Sequence, residues 1–113
     1  MPHPGDNLFA CISQIRKPDR IQDHMPAHVD WLKERDLEGR VVATGAQLPL
    51  GSGGVQIFAA ANLEEMEAML ATDPLVAGGV TENWVFEFQL NDEPNRGRLM
   101  NYFFDASFSE NSK

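Results

Sequence analysis

Residues 8–15, LFACISQI, are apolar on both of their alternating faces, and this run constrains the chain most. Leu8, Ala10 and Ile12 make one set, and Phe9, Cys11 and Ile15 make the other. Such a strand needs cover on two sides. At 113 residues the chain is one domain on length, so few elements are available to provide that cover.

The remaining periodicity supplies the elements in order. A helical pattern over 25–38 repeats Met25, Val29 and Leu32 at 3–4 spacing; Pro26 suits a first turn and Gly39 a stop. RVVATGAQ (40–47) reads as a second strand, LPLGSGG as a hairpin-like loop, and VQIFAAA (55–61) as a third strand. NLEEMEAMLATD (62–73) is an amphipathic helix. Asn62 is its cap, Glu65 the second half of a capping-box-like pair, and Leu63, Met66, Met69 and Leu70 its apolar stripe. Residues 81–90 form a fourth strand with Trp84, Phe86 and Phe88 on one face.

Strand, helix, strand, strand, helix, strand makes two split βαβ halves. The expected fold is a ferredoxin-like βαββαβ sandwich of the α+β class, with a four-stranded antiparallel sheet. Its helices cover one face. A second copy of the chain is the economical cover for the other, so a homodimer with sheets packed face to face is expected, a dimeric α+β barrel. The domain is placed at 1–90. After it come the linker-like NDEPNRGR and a tail whose NYFF is too aromatic for a purely solvated end. The tail, 91–113, is expected to dock on its own or the partner subunit.

Charge narrows the partners. The net charge of −8 argues against nucleic acid and anionic membrane surfaces, both of which recruit Lys and Arg. No apolar run approaches the ~20 residues of a membrane span. The start, MPHPGDN, has neither a basic region nor a hydrophobic one, so the expected location is cytoplasmic. Cys11 is the single cysteine; it rules out an internal disulfide and reads as a small buried hydrophobe.

Three polar residues carry possible chemistry. His24 and His28 are four apart, as a helical metal pair would be, but no further ligand follows at metal spacing, so no metal is expected. His28 stands by the apolar stripe near Leu32. It is either a core histidine or a general base. Asp73 precedes Pro74, which forces it out of helical geometry. It is either a helix stop or a carboxylate aimed into a cavity, where it orients His28 or itself moves a proton. There is no G-x-S-x-G elbow, and GSGG lacks the lysine and helix of a phosphate loop. No cofactor is expected.

Two segments, MPAHVDWLKERDLEGRVVATGA (25–46) and DPLVAGGVTENWVFEF (73–88), resemble the YCII-related domain proteins. The resembling motifs are a helix with Pro-Ala-His, a glycine stop, a strand ending in Thr-Gly, and Asp-Pro-Leu followed by a glycine pair. The resemblance covers about residues 8–90. It implies a dimeric ferredoxin-like fold related to the barrels of muconolactone isomerases, and a His–Asp active pair at His28 and Asp73. Members of the family include dehydrochlorinases acting on chlorinated hydroquinone-like rings. Met25 departs from the pattern, because an arginine is frequent before the proline. The implied function is acid/base proton transfer on a small cyclic or lactone-like substrate by an isomerase, dehydrochlorinase or other lyase. The alternative is a non-catalytic small-molecule-binding or accessory protein of a larger metabolic enzyme system.

Overall fold

A computed structural model describes residues 6–89. The tail expected at 91–113 lies outside the described residues. The chain runs β1 (Asn7–Ile15), a 3₁₀ turn (Pro18–Arg20), α1 (Ile21–Leu37), β2 (Val41–Ala46), β3 (Gly53–Ala60), α2 (Leu63–Leu70), the one-turn α3 (Pro74–Ala77) and β4 (Thr81–Phe88). The sheet order is β2-β3-β1-β4. Every neighbouring pair is antiparallel, which is the ferredoxin-like arrangement of the α+β class.

Helix α1 begins at Ile21, four residues before the Met25 start expected from Pro26. The initiating proline is Pro18: its 3₁₀ turn runs into the helix, and the Ile21 N–H donates to the Pro18 carbonyl. Pro26 therefore lies inside α1, where its missing N–H leaves the Gln22 carbonyl without the usual helical donor. His24 and His28 are both helical, and His28 is well past the first turn.

Helices α1 and α3 end in the same way. Arg40 N–H donates to the Arg35 carbonyl and Gly39 N–H to that of Asp36; Val80 and Gly79 repeat the pattern onto Leu75 and Val76. These paired bonds need a left-handed residue, and Gly39 (φ 78°) and Gly79 (φ 69°) supply it. For α2, Asn62 Oδ1 accepts from Glu65 N–H at 2.8 Å. The reciprocal half of the expected capping box is replaced, because the Glu65 carboxylate pairs with the Arg40 guanidinium. The guanidinium brings a full positive charge to the carboxylate, which the Asn62 N–H does not.

The helices cover one sheet face. Phe9 of β1 stands opposite Phe58 of β3. Both are fully buried beside Cys11, Met66, Leu70 and Trp31. Leu63 is the exception in the expected stripe of α2, being exposed at the helix start. Strand β3 begins at Gly53, two residues earlier than expected, because Gly53 and Gly54 pair with Gln14 and Ser13. On the opposite face Ile12 stands between Val55 and Trp84, and Ala10 between Ile57 and Phe86. Among the described residues nothing covers that face fully: Val55 is 41%, Trp84 43% and Phe86 50% exposed. Among the described residues no helix is long and apolar enough to cross a membrane.

The close approach of β3 to β1 gives a test. A Cβ on Gly53 would lie 1.9 Å from the Ser13 carbonyl oxygen, whereas one on Gly45 meets nothing within 4 Å among the described residues. Gly53→Ala should lower unfolding free energy by roughly 1–3 kcal/mol. Gly45→Ala should change it by less than about 0.5 kcal/mol. Chemical denaturation of the two variants measures both.

Candidate functional site

Asp73 sits where α2 gives way to α3. Pro74 holds its backbone extended (φ −64°, ψ 125°), and its carboxylate caps α3 by accepting from Leu75 N–H at 3.0 Å. The same oxygen, Oδ1, accepts a second bond of 2.7 Å from His28 Nδ1–H on α1. The two side chains, 45 residues apart, therefore meet. Both are buried, at 7% exposure for His28 and 2% for Asp73.

The imidazole is held on a second side. Trp31, one turn further along α1, stacks on it with ring centroids 6.3 Å apart and planes 17° from parallel. The indole is itself fixed: Nε1–H donates to Thr72 Oγ1 at 2.8 Å, the Phe58 ring meets it edge-on, and the Arg35 guanidinium lies over its face. With Nδ1 donating to a carboxylate, the neutral imidazole carries its lone pair on Nε2. Nε2 makes no hydrogen bond to the described residues.

His28 and Asp73 line a cavity of about 330 Å³ between α1 and the sheet. It exists because this end of the sheet carries Ser13, Gly53 and Gly54 where the other end carries Phe9 and Phe58. Ile21, Met25, Val29 and Leu32 of α1 form an apolar roof over it, and Ser13, Gln56 and Thr81 add polar groups. The size suits a small molecule of one ring. Below Ser13, Thr81 Oγ1–H donates to Asn83 Oδ1 at 2.8 Å, and Asn83 Nδ2–H donates to Ser13 Oγ at 2.6 Å.

His24 does not join this site. Its Nδ1–H donates to the Arg20 carbonyl at 3.0 Å. Its ring packs against Gly78, where a Cβ would come within 2.6 Å of Nε2. Gly78, at φ −81°, is thus needed for space, whereas Gly79 takes the positive φ. Among the described residues no three His, Cys, Asp or Glu side chains gather as a metal site would need.

Two important residues escaped the sequence reading. Trp31 had a signal, its i+3 spacing from His28. Gln56 had a fainter one: it is the polar member of the helix-facing set that continues through Phe58 and Ala60.

The YCII-related domain pattern matches residues 7–89. The chain belongs to the YCII-related domain family. None of the curated proteins compared with it matches significantly. Solved structures share its fold. The 5-chloro-2-hydroxyhydroquinone dehydrochlorinase of Burkholderia phenoliruptrix, solved with 2,5-dihydroxybenzoquinone, has a TM-score of 0.64 at 19% identity over 73% of this chain and 93% of its own. An antibiotic biosynthesis monooxygenase scores 0.53 at 13% identity, covering 74% of this chain and 97% of its own. A conserved protein of Methanosarcina mazei scores 0.51 at 14% identity, covering 75% and 95%. Met25 lies on the cavity wall.

Cys11 is fully buried behind the site. Burial raises its thiol above the ordinary value of 9.0, hydrogen bonds with Asn83 and Ser13 pull it down, and the charge of Asp73 pushes it up. A raised folded-state value means stability is complete below the unfolded thiol's pKa and is lost as pH climbs through the folded one. The native protein should resist thiol reagents at pH 8 and label fully in denaturant. Above about pH 9, the parent should lose more stability than Cys11→Ala does, as read by denaturant titrations at pH 8 and pH 10.

Proposed function

We propose that this YCII-related protein is an enzyme that moves a proton on a small cyclic or lactone-like molecule, in an isomerisation, an HX elimination or a related lyase step. His28 is the general base through Nε2, and Asp73 is the orienting partner. The supporting observation is the buried 2.7 Å His28–Asp73 bond at the wall of a cavity, with Nε2 unpartnered among the described residues.

The chemistry follows from that arrangement. Nε2 takes a proton from a substrate carbon or hydroxyl. In an elimination the electron pair of the broken bond forms a new double bond, and X departs as an anion with its own pair. In an isomerisation the imidazolium returns the proton to another atom of the same substrate. Asp73 stabilises the imidazolium and keeps the proton of the resting state on Nδ1. The fold-mate that acts on a chlorinated hydroxyhydroquinone makes HX elimination the first reaction to try.

We further propose that the open sheet face is covered by a second copy of the chain. The support is its apolar character, carried by Val55, Trp84 and Phe86. Light scattering at micromolar concentration should give a dimer for the parent. Phe86→Glu should give a monomer, because two carboxylates would face each other without partners in an apolar contact. A monomeric parent overturns the proposal.

Activity is tested with a panel of chlorinated hydroquinones and muconolactones. His28→Ala should lower kcat ~10²–10⁴-fold. Asp73→Asn retains an oxygen that can cap α3, but its amide can donate to Nδ1 and favour the wrong tautomer, so kcat should fall by at least roughly tenfold while the fold persists. Turnover by His28→Ala within about threefold of the parent removes the general base from the mechanism. A parent that binds panel members without converting any is a binding protein.

A further inference from the structure

Ser13 is the polar member of the helix-facing set Phe9, Cys11, Ser13 and Ile15 on β1. It lines the same cavity as His28 and is 8% exposed. Ser13 belongs to the sheet and His28 to α1, so a ligand between them touches both walls. The hydrogen bonds that lead to Ser13 run one way. Thr81 Oγ1–H donates to Asn83 Oδ1, and Asn83 Nδ2–H donates to Ser13 Oγ. The hydroxyl proton of Thr81 is thereby spent, whereas that of Ser13 is not. The other contact of Ser13 Oγ among the described residues is Cys11 Sγ at 3.8 Å, and sulfur is a weak acceptor. Accepting from Asn83 polarises the Ser13 hydroxyl and strengthens it as a donor. Thr44 brings another hydroxyl to the wall, but it is exposed on the edge strand β2, where water competes for it.

We infer that Ser13 is an oxyanion-binding residue, whose O–H donates to a carbonyl oxygen of the substrate while His28 takes a proton from the neighbouring carbon. This rests on His28 being the general base, and it narrows the reaction to proton abstraction beside a carbonyl group. In that step the C–H electron pair becomes a C=C bond, the carbonyl π pair moves onto oxygen, and the proton goes to Nε2. Ser13 keeps its own proton throughout. The oxygen gains negative charge and needs a donor. No Lys or Arg lines the cavity among the described residues, and the Asp73 carboxylate there can only repel such a charge. The Ser13 hydroxyl is buried and held in place by Asn83, so it meets the charge without first being ordered. A donor fixed in that way contributes most where charge develops.

The probe is 3-cyclopenten-1-one, a single ring whose carbonyl is flanked by acidified C–H bonds. With its carbonyl carbon isotopically labelled, NMR titration of the full chain should show a bound resonance downfield of the value in hydrocarbon solvent, as a hydrogen-bonded carbonyl gives. In heavy water the parent should exchange the ring C–H for deuterium faster than buffer does. Ser13→Ala should return the bound resonance toward the hydrocarbon value and weaken binding about threefold to tenfold. It should slow exchange more, roughly 10²–10³-fold, because the donor matters most once charge has formed. A serine that only held Asn83 would move neither the resonance nor the ratio of the two losses. The inference is overturned if the ketone does not bind, if its resonance in the parent stays at the hydrocarbon value, or if Ser13→Ala keeps the downfield resonance. It is equally overturned if Ser13→Ala exchanges within about threefold of the parent. His28→Ala should abolish exchange and keep the downfield resonance. A parent that shows the resonance without exchange removes the base and leaves the Ser13 bond standing; exchange lost in His28→Ala but not in Ser13→Ala does the reverse.

Discussion

A carboxylate removed from water must find donors, and Asp73 finds two on one oxygen. One comes from the first turn of α3 and the other from His28 on α1. Without partners, burial of such a charge costs several kcal/mol. The bonds therefore tie the α1 crossover to the α2–β4 crossover at a defined separation. Trp31 reinforces the tie by reaching from α1 to Thr72, the residue before Asp73. The histidine is thus positioned by the same contacts that join the two halves of the fold. Asp73 does not stop α2, which has already ended at Leu70; its carboxylate instead opens α3, and the same oxygen bonds His28.

The cavity is a consequence of unequal side chains along one sheet face. Where Phe9 faces Phe58, the helices pack down on them and Trp31 fills the gap edge-on. Where Ser13 faces Gly54, nothing on the sheet rises to meet α1, and the helix cannot bend to close the distance. The space is walled by aliphatic groups from the helix and polar ones from the strands. Helix-side packing supplies the stability, while the same face supplies room for a ligand.

Much of the architecture was legible because it is encoded locally. Two-sided apolar strands, the amphipathic stripe of 62–73 and the glycine stop after α1 each depend on residues a few positions apart. The errors came where two local signals competed. Pro26 looked like a helix start, yet Pro18 had already turned the chain, and a helix once begun runs through a proline at the cost of one hydrogen bond. Glu65 looked like half of a capping box, yet Arg40 offered it a stronger partner from another element.

The sequence by itself determined the order of elements, the burial of Cys11 and the extended backbone of Asp73, since periodicity, composition and a proline act at short range. The resemblance of 25–46 and 73–88 to a family singled out His28 and Asp73. Only the tertiary structure decided that the two meet, that Trp31 clamps the ring, and that Gln56 lines the same cavity. Those facts depend on the register of β3 between β1 and β2 and on the height of α1 above the sheet. Register and height are set by the packing of residues far apart in the chain, and no spacing along the sequence records them.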